Sequence, residues 1–388
     1  MGLLSPVDST DERRALRASV HQLATAELPP HRALEIDAER LWDEPLWQSL
    51  ARLGLLGLGG DEALGGTGGS ATDSMIATEE LSRALPSLGV VYVGTAMAMR
   101  TLSDPACGPM SRLLAPVASG ELKTTFAMSE PGGGTDLLRL RTTAREVEGE
   151  WRLNGQKTWI TLGTEADVLL VVARTDPPEG DRLSRGISVI AVPTDQPGVE
   201  RRRVKLAGMR AAVTTEIFFD DARAPLENVV GERGRAMSIL GRTLDVERLL
   251  SGAISLGIAA QALELSVRYA GERNAFERPI GAFQAVQHPI ADSAAEVFAL
   301  RAAMDRVAAS IDAGEESRNS AAMVKMYAGE VAARVVDRAM RAHGAMGLAE
   351  EGPLQMFFRD ARLALFSPMS NEMAKNTIGE ALGLPRSY

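Results

Sequence analysis

Residues 126–136, with the sequence FAMSEPGGGTD, contain the turn around which the predicted fold is organised. A β-rich run leads into this segment, which then turns through Pro131 and three consecutive glycines. Glycine lets the backbone approach a ligand closely, and successive N–H groups in such a turn can point at an anion or a polar ring. We therefore predict a ligand-binding turn at the end of a strand.

A second segment, residues 153–163 (LNGQKTWITLG), has features that suit a flat ligand. Its Asn-Gly pair predicts a tight hairpin turn. Trp159 and Thr161 are two residues apart, so on one strand both side chains would face the same side. An aromatic ring beside a hydroxyl group suits a heteroaromatic ligand with polar edges. The alternative interpretation is that Trp159 only fills the core.

The pattern on either side of these segments predicts the fold class. Residues 121–235 are short β-rich runs separated by turn residues, which is typical of a small sandwich or barrel. Helical periodicity precedes them and returns after them, so the fold is mainly α with a central β-domain. The predicted domains are an N-terminal helical domain (residues 1–120), a middle β-domain (121–235) and a C-terminal four-helix bundle (236–388). The predicted helices of the bundle are 244–270, 285–313, 318–345 and 354–381.

Composition and charge argue against several classes of protein. A net charge of −9 disfavours a nucleic-acid or anionic-membrane surface. The single cysteine, Cys107, excludes an intramolecular disulfide, and the four scattered histidines lack metal-ligand spacing, so we expect no metal site. No apolar run reaches membrane-spanning length, and the N-terminus becomes charged too early for a signal peptide. These features predict a cytoplasmic protein that binds neither nucleic acid nor membrane.

Residues 242–263 (RTLDVERLLSGAISLGIAAQAL) place two acids, Asp245 and Glu247, at the beginning of a predicted helix that is otherwise small and apolar. The simplest interpretation is structural. Asp245 would cap the free backbone N–H groups of the first turn, and acids there suit the helix dipole.

The two middle segments resemble the paired signatures of the acyl-CoA dehydrogenase flavoprotein family. Later segments agree in the same order, namely AGMRAAVTTEIFFDDARAPLENVVGERGRAM, YAGERNAFERPIGAFQAVQHPIAD and RAHGAMGLAEEGPLQMFFRDARLAL. The resemblance covers nearly the whole chain, and several motifs in order are far more specific than any one of them. It implies FAD held between the middle domain and the four-helix bundle, and a homo-oligomer that is usually a tetramer, a dimer of dimers.

The resemblance also implies which residues contact the cofactor. Ser129 matches the position whose hydroxyl lies near flavin N5, and Thr135 matches a position beside both cofactor and substrate. The implied contacts along the flavin and its ribityl-phosphate chain are Phe126, Met128, Ser129, Gly134, Thr135, Trp159 and Thr161.

The resemblance implies five further FAD contacts, of which Arg273 and Gln284 come from a neighbouring subunit and meet the pyrophosphate and adenosine half. The full set is Arg273, Phe276, Gln284, Arg341 and Ala345. A guanidinium group such as that of Arg273 suits a pyrophosphate, although a solvated charge at a helix end is the alternative. The chain departs from the family pattern at two of these positions and at a third position next to Phe276. Glu277 adds negative charge near the expected phosphate, and Arg341 and Ala345 stand where the family has glutamine and glycine.

The catalytic base is implied by a second departure. Many members carry it in a Tyr-Glu-Gly-Thr stretch beyond an Arg-Asp-Ala motif, and here that glutamate position falls on Pro368. The isovaleryl-CoA and long-chain branches instead place the base in a Glu-Arg-Leu motif on the first long helix of the bundle. LDVERLL reproduces that context, which implies Glu247 as the base and Arg248 near the acyl-CoA end of the site. In the family, a backbone N–H at this position is one of the donors to the thioester carbonyl, and proline has none. Three alternatives follow: Met369 or Ser370 donates instead, the flavin ribityl hydroxyl polarises the carbonyl, or the reaction is not ordinary dehydrogenation.

These residues leave three functional hypotheses open. The first is FAD-dependent α,β-dehydrogenation of an acyl thioester, carried by CoA or an acyl-carrier protein, with an electron-transferring flavoprotein as acceptor. The second is a flavin-dependent oxygenase or hydroxylase of the same fold, which the change at Pro368 favours and the retained Glu247 disfavours. The third is a non-catalytic flavin-binding subunit that supports a partner dehydrogenase.

Overall fold

A computed structural model describes residues 10–134 and 136–385. Helices form both ends of the chain and a β-sheet forms its middle. The helices before the sheet are α1 (Asp11–Glu27), α2 (Pro30–Glu39), α3 (Glu44–Arg52), α4 (Ala71–Ala84), α5 (Pro86–Leu102) and α6 (Leu114–Ala118). The helices after it are α7 (Ala236–Glu272), α8 (Gln284–Asp312), α9 (Arg318–His343), α10 (Leu354–Asp360) and α11 (Asn371–Ala381).

The sheet contains both antiparallel and parallel pairs. Its strands are β1 (Thr124–Ala127), β2 (Thr143–Val147), β3 (Glu150–Ile160), β4 (Val168–Arg174), β5 (Ile187–Pro193), β6 (Val199–Arg203), β7 (Thr215–Pro225) and β8 (Val229–Val230). Their order is β6-β7-β3-β2-β4-β5-β8, and β1 pairs in parallel with β4. A separate two-stranded ribbon joins β9 (Asn274–Ala275) to β10 (Arg278–Pro279).

The predicted hairpin at the Asn-Gly pair is wrong. Asn154 and Gly155 lie inside β3, and the hairpin between β2 and β3 turns at Glu148 and Gly149, whose φ angles are +52° and +81°. A two-residue turn of type I′ needs left-handed φ at both central residues, and this pair supplies it. Gly155 instead marks an irregularity in the pairing with β7, where a Cβ atom would lie 2.6 Å from Thr142 Oγ1.

The fourth predicted helix of the bundle is interrupted. α10 ends at Asp360 and α11 begins at Asn371, with Pro368 in the connection between them. Proline has no N–H to continue a helix and restricts the residue before it, so the helical pattern of residues 354–381 overstates the continuous length.

α7 is the central helix of the molecule and packs against both helical regions. Gly257 allows this close approach, because a Cβ atom there would lie 2.5 Å from the Glu79 carbonyl oxygen of α4. Residues Thr243–Glu272 have the length and apolar composition of a membrane span, but 83% of the apolar 18-residue window within them is buried inside the protein, as a core helix requires. The buried Glu79 carboxylate accepts from Arg17 of α1 and from Arg301 of α8, which ties the N-terminal helices to the bundle.

Candidate active site

The turn after β1 is held against β3 by its backbone. The Thr158 N–H donates to the Ser129 carbonyl at 3.0 Å, so the turn and the end of β3 lie side by side. Phe126, Met128 and Ser129 are partly buried and Gly134 is exposed. Thr135 lies outside the described residues. The structure thus places the turn of the first segment beside the strand of the second.

A buried ion pair that the sequence analysis missed fixes this turn. Lys157 of β3 is fully buried, and its Nζ donates to the Met128 carbonyl at 2.9 Å and to Glu130 Oε1 at 2.8 Å. The Glu130 carboxylate also accepts the N–H groups of Arg141 and Thr142 at 2.6 and 2.9 Å. Burial raises the pKa of Glu130, but these hydrogen bonds outweigh it and the pKa is lowered on balance. Glu130 lies in the first quoted segment and Lys157 in the second. A search for opposite charges across the two segments could have found this ion pair.

Trp159 is presented to solvent rather than packed in the core. Its side chain is 59% exposed, so the core-filling interpretation is wrong. Its φ angle of +61° is left-handed, which is unusual for a bulky residue, and the pairing of β3 with β7 shifts there. β3 then ends at Ile160, so the two-residue alternation that placed Thr161 on the same side does not apply.

These residues fit a flavin by their chemistry. Among the described residues, no hydrogen bond involves the hydroxyl groups of Ser129 or Thr161, which leaves both available to a ligand. The exposed indole of Trp159 adds an aromatic face next to the Ser129 turn. A Cβ atom at Gly132 would meet no atom within 4 Å, so this part of the turn is open. Flat rings with polar edges need this combination of an aromatic face and hydroxyl groups.

Glu247 lies in the interior of a helix, which corrects the capping interpretation. α7 begins at Ala236, so Asp245 and Glu247 are beyond its first two turns and cannot cap it. The Asp245 carboxylate accepts instead from the guanidinium group of Arg248 on the same helix. Sequence periodicity missed the first two turns of α7, and with them the position of the two acids.

The neighbours of Glu247 define the site. One turn before it, the Thr243 hydroxyl lies 3.3 Å from that of Thr101 on α5. One turn after it, the Ser251 hydroxyl donates to the Ser367 carbonyl at 3.5 Å. Residues four apart share a helix face. Glu247 therefore lies between α5 and the connection that carries Pro368.

The carboxylate of Glu247 has the properties expected of a catalytic base. Its side chain is partly buried, and no described residue donates a hydrogen bond to it or forms an ion pair with it. Burial raises its pKa to about 7, and the nearby charge of Arg248 only partly opposes this. A carboxylate with these properties is ready to exchange a proton near neutral pH.

We call residues 366–370, which lie between α10 and α11, the proline loop. This loop contains backbone N–H groups without hydrogen-bond acceptors among the described residues. Pro368 has no N–H, as its identity dictates. The N–H groups of Met369 and Ser370 donate to no residue within the described parts of the chain. Two unpaired donors thus follow the proline directly.

The second predicted set of cofactor residues lies elsewhere on the surface. Arg273 ends α7, Phe276 and Glu277 form the left-handed turn between β9 and β10, and Gln284 begins α8. The Phe276 ring is 85% exposed. Arg341 forms an ion pair with Asp337 at 3.0 Å, and Ala345 is exposed. No hydrogen bond or ion pair between described residues joins this set to the turn after β1, so one chain does not assemble both.

Comparison with known proteins identifies the family. The N-terminal, middle and C-terminal domains of acyl-CoA dehydrogenases match residues 10–121, 125–222 and 234–383. The chain belongs to the acyl-CoA dehydrogenase family. This family depends on FAD and its enzymes are oxidoreductases that act on CH–CH donors, so the predicted family, fold class and enzyme class are confirmed.

Individual relatives match along most of their length. The mitochondrial short-chain specific acyl-CoA dehydrogenase of Mus musculus is 34% identical over 391 residues, covering 98% of this chain and 92% of that protein. The mitochondrial isovaleryl-CoA dehydrogenase of Oryza sativa is 33% identical, covering 96% of this chain and 91% of its own. The crystal structure of the acyl-CoA dehydrogenase from Geobacillus kaustophilus has a TM-score of 0.92 at 31% identity, covering 98% of this chain and all of that one.

Proposed function

We propose that the protein catalyses FAD-dependent α,β-dehydrogenation of an acyl thioester with Glu247 as the catalytic base. The observation that carries this proposal is the Glu247 carboxylate itself, which has no partner among the described residues, has a pKa near 7 and lies beside the proline loop. Family membership supports acyl-CoA dehydrogenation as the general activity.

The chemistry asked of Glu247 is removal of a proton from the carbon next to the thioester carbonyl. A carboxylate of ordinary pKa is a weak base for such a proton, and burial strengthens it by destabilising the charged form. Bound FAD would supply the acceptor for the hydride of the β-carbon, so that loss of the proton and the hydride would leave a carbon–carbon double bond. Arg248 and Thr135 are the residues that we assign to the acyl-CoA end of the site.

The cofactor would be held by residues from both predicted sets. In this proposal the flavin would contact Phe126, Met128, Ser129, Gly134, Thr135, Trp159 and Thr161. A second copy of the chain would supply Arg273, Phe276, Gln284, Arg341 and Ala345 to the adenosine half. The exposure of Phe276 is compatible with this, because its ring is accessible to the surface of a second copy. A dimer of dimers provides such surfaces.

The electron acceptor and the carrier of the acyl group extend the same proposal. The family's chemistry leaves a reduced flavin after each turnover, which an electron-transferring flavoprotein would reoxidise. The thioester would be carried by CoA or by an acyl-carrier protein, and we propose the cytoplasm as the compartment.

Pro368 favours a second candidate, a flavin-dependent oxygenase or hydroxylase of the same fold. Proton abstraction next to a carbonyl needs the carbonyl oxygen to be polarised, and removing one such donor costs roughly 10²–10³-fold in rate. An oxygenase needs neither that donor nor the base. Fast oxygen consumption supported by reduced nicotinamide, unchanged in Glu247→Gln, would favour it.

The test is anaerobic reduction of the bound FAD by short, branched, long and aromatic acyl-CoAs, followed by its visible absorbance. Wild type should be reduced by one acyl class, and Glu247→Gln should slow reduction by about 10²–10⁴-fold, the range for losing a general base. Glu264→Gln is the matched control, since Glu264 lies on the same helix and its carboxylate pairs with Arg83 of α4. Equal reduction of wild type and Glu247→Gln would contradict the assignment.

A further inference from the structure

Lys325 of α9 is a buried cation that the proposed reaction does not yet use. Its side chain is fully buried, and its Nζ donates to the Met369 carbonyl and, at 3.2 Å, to Asn371 Oδ1. No carboxylate of the described residues lies within ion-pair distance of it. Burial of an ammonium group with only neutral partners is costly, and it lowers the pKa of Lys325 to about 8, which the more distant Glu372 partly opposes.

The charge of Lys325 does not stabilise α11, the helix whose N-terminus it contacts. Met369 and Asn371 flank Ser370, which caps the N-terminus of α11 by accepting from the Met373 N–H at 3.2 Å. The N-terminus of a helix carries a partial positive charge, so a cation is repelled there. Stabilisation of α11 therefore does not explain the ammonium group.

Lys325 determines the direction of one backbone donor. The peptide group that joins Met369 to Ser370 is planar and trans, so its C=O and its N–H point in opposite directions. Because the ammonium group holds the Met369 carbonyl on the side of α9, the Ser370 N–H points away from α9. That N–H is one of the two free donors of the proline loop.

The same loop is anchored on its other side near the base. Gly329, one turn beyond Lys325, allows α9 to approach the residues just before the loop, since a Cβ atom there would lie 2.7 Å from the Ala364 carbonyl oxygen. Ser251, one turn beyond Glu247, contacts the Ser367 carbonyl from α7. The proline loop thus lies between the helix of the buried lysine and the helix of the proposed base.

We propose that Lys325 is a positioning residue for the thioester reaction, because it holds the proline loop so that the Ser370 N–H replaces the donor that Pro368 cannot supply. The lysine touches neither substrate nor cofactor in this proposal and acts through the Met369 peptide group. The inference rests on the proposed dehydrogenation and adds the origin of carbonyl polarisation.

Lys325→Met in the FAD-bound enzyme tests the proposal, because methionine keeps much of the length and loses the donors. We expect FAD content to be retained, substrate KM to change less than about threefold, and the rate of flavin reduction to fall about 10²–10³-fold, as for loss of one carbonyl donor. Lys375→Met is the matched control. Lys375 lies on α11, is 58% exposed and pairs with Glu330 of α9 at 3.5 Å, so its replacement should leave the rate unchanged.

Two further readouts separate positioning from a merely structural role. A β-ketoacyl-CoA ionises to an enolate, and a donor to its thioester oxygen lowers the pKa of that ionisation on the enzyme. Lys325→Met should raise this pKa by about one to three units, which equals a 10- to 10³-fold loss of enolate stabilisation. In addition, Pro368→Gly restores an N–H at the family position and should recover much of the rate in the double variant.

The outcomes distinguish the two proposals. If no thioester reduces wild-type flavin but Lys325→Met still shifts the enolate pKa, the proposed dehydrogenation is wrong and the positioning role stands. If wild type is reduced and Lys325→Met leaves both the rate and the enolate pKa unchanged, the positioning role is wrong. A third outcome would also overturn the positioning role. In it, Lys325→Met loses FAD or melts at a lower temperature, the enolate pKa is unshifted, and Pro368→Gly recovers no activity.

Discussion

Replacing Glu247 by glutamine should make the protein more stable at alkaline pH while it removes the proposed base. Glutamine has nearly the shape of glutamate and carries no charge, so it keeps the packing of α7. The wild-type carboxylate is held without a hydrogen-bond partner among the described residues, in surroundings that disfavour its charge. The native state therefore bears a cost for ionising Glu247 that the variant does not bear.

The size and sign of this cost follow from the raised pKa. The pKa of Glu247 is about 7 in the folded protein, against 4.5 for an unperturbed glutamate. Between these values the folded chain binds a proton that the unfolded chain has lost, so stability falls as pH rises through this window. At roughly 1.4 kcal/mol for each pKa unit, the cost is about 0.8 kcal/mol at pH 5 and about 3.3 kcal/mol at pH 8. The side chain is partly exposed and solvent screens its charge, so these free-energy costs are upper limits.

The assay is thermal unfolding of the FAD-bound wild type and of Glu247→Gln at one scan rate, from pH 5 to pH 8. For 388 residues, an unfolding entropy of about 0.8 kcal/mol/K converts 3 kcal/mol to a melting-temperature difference of about 4 °C. The variant should melt higher at pH 8, and the difference should shrink towards pH 5. Glu264→Gln removes a partly exposed, ion-paired carboxylate from the same helix and should show no such pH dependence.

A difference that does not depend on pH would refute the raised pKa of Glu247. A variant that melts lower than wild type at pH 8 would show instead that the carboxylate is stabilised by contacts, and the base would then need another explanation.

Lys157→Met should leave Glu130 buried without its ion-pair partner and cost roughly 3–5 kcal/mol of stability, with loss of FAD; unfolding and flavin content measure this, and unchanged values of both would contradict it. Asp360→Asn should raise the melting temperature at pH 8, because burial raises the pKa of Asp360 to about 7 and asparagine still accepts the Met209 N–H; a fall of several degrees would count against it. Arg273→Ala should lower FAD affinity about 10-fold or more with little change in the monomer's helix content, as loss of a charge-assisted bond from a neighbouring subunit predicts; undiminished flavin retention on gel filtration would remove Arg273 from the site.

Local patterns in the sequence were sufficient for the fold class and for the family. Helical periodicity on both sides of alternating β-rich runs predicted the order of elements, and several motifs in a fixed order predicted the family, since both signals lie within short stretches of chain. The location of the proposed base at Glu247 also came from the motif alone, and it stays a prediction until its variant is measured.

Tertiary contacts decided what these patterns could not. Lys157 meets Glu130, and Lys325 meets Met369, across 27 and 44 residues of chain, and no periodicity reports such pairings. Trp159 turns outward because the pairing of β3 with β7 shifts at that point, which overrides the alternation of a regular strand. The acids of α7 are interior rather than capping because the helix extends two turns further than its pattern. Burial and hydrogen-bond partners depend on which distant segments come into contact. These tertiary contacts determine the protonation and the orientation of the groups in the candidate site.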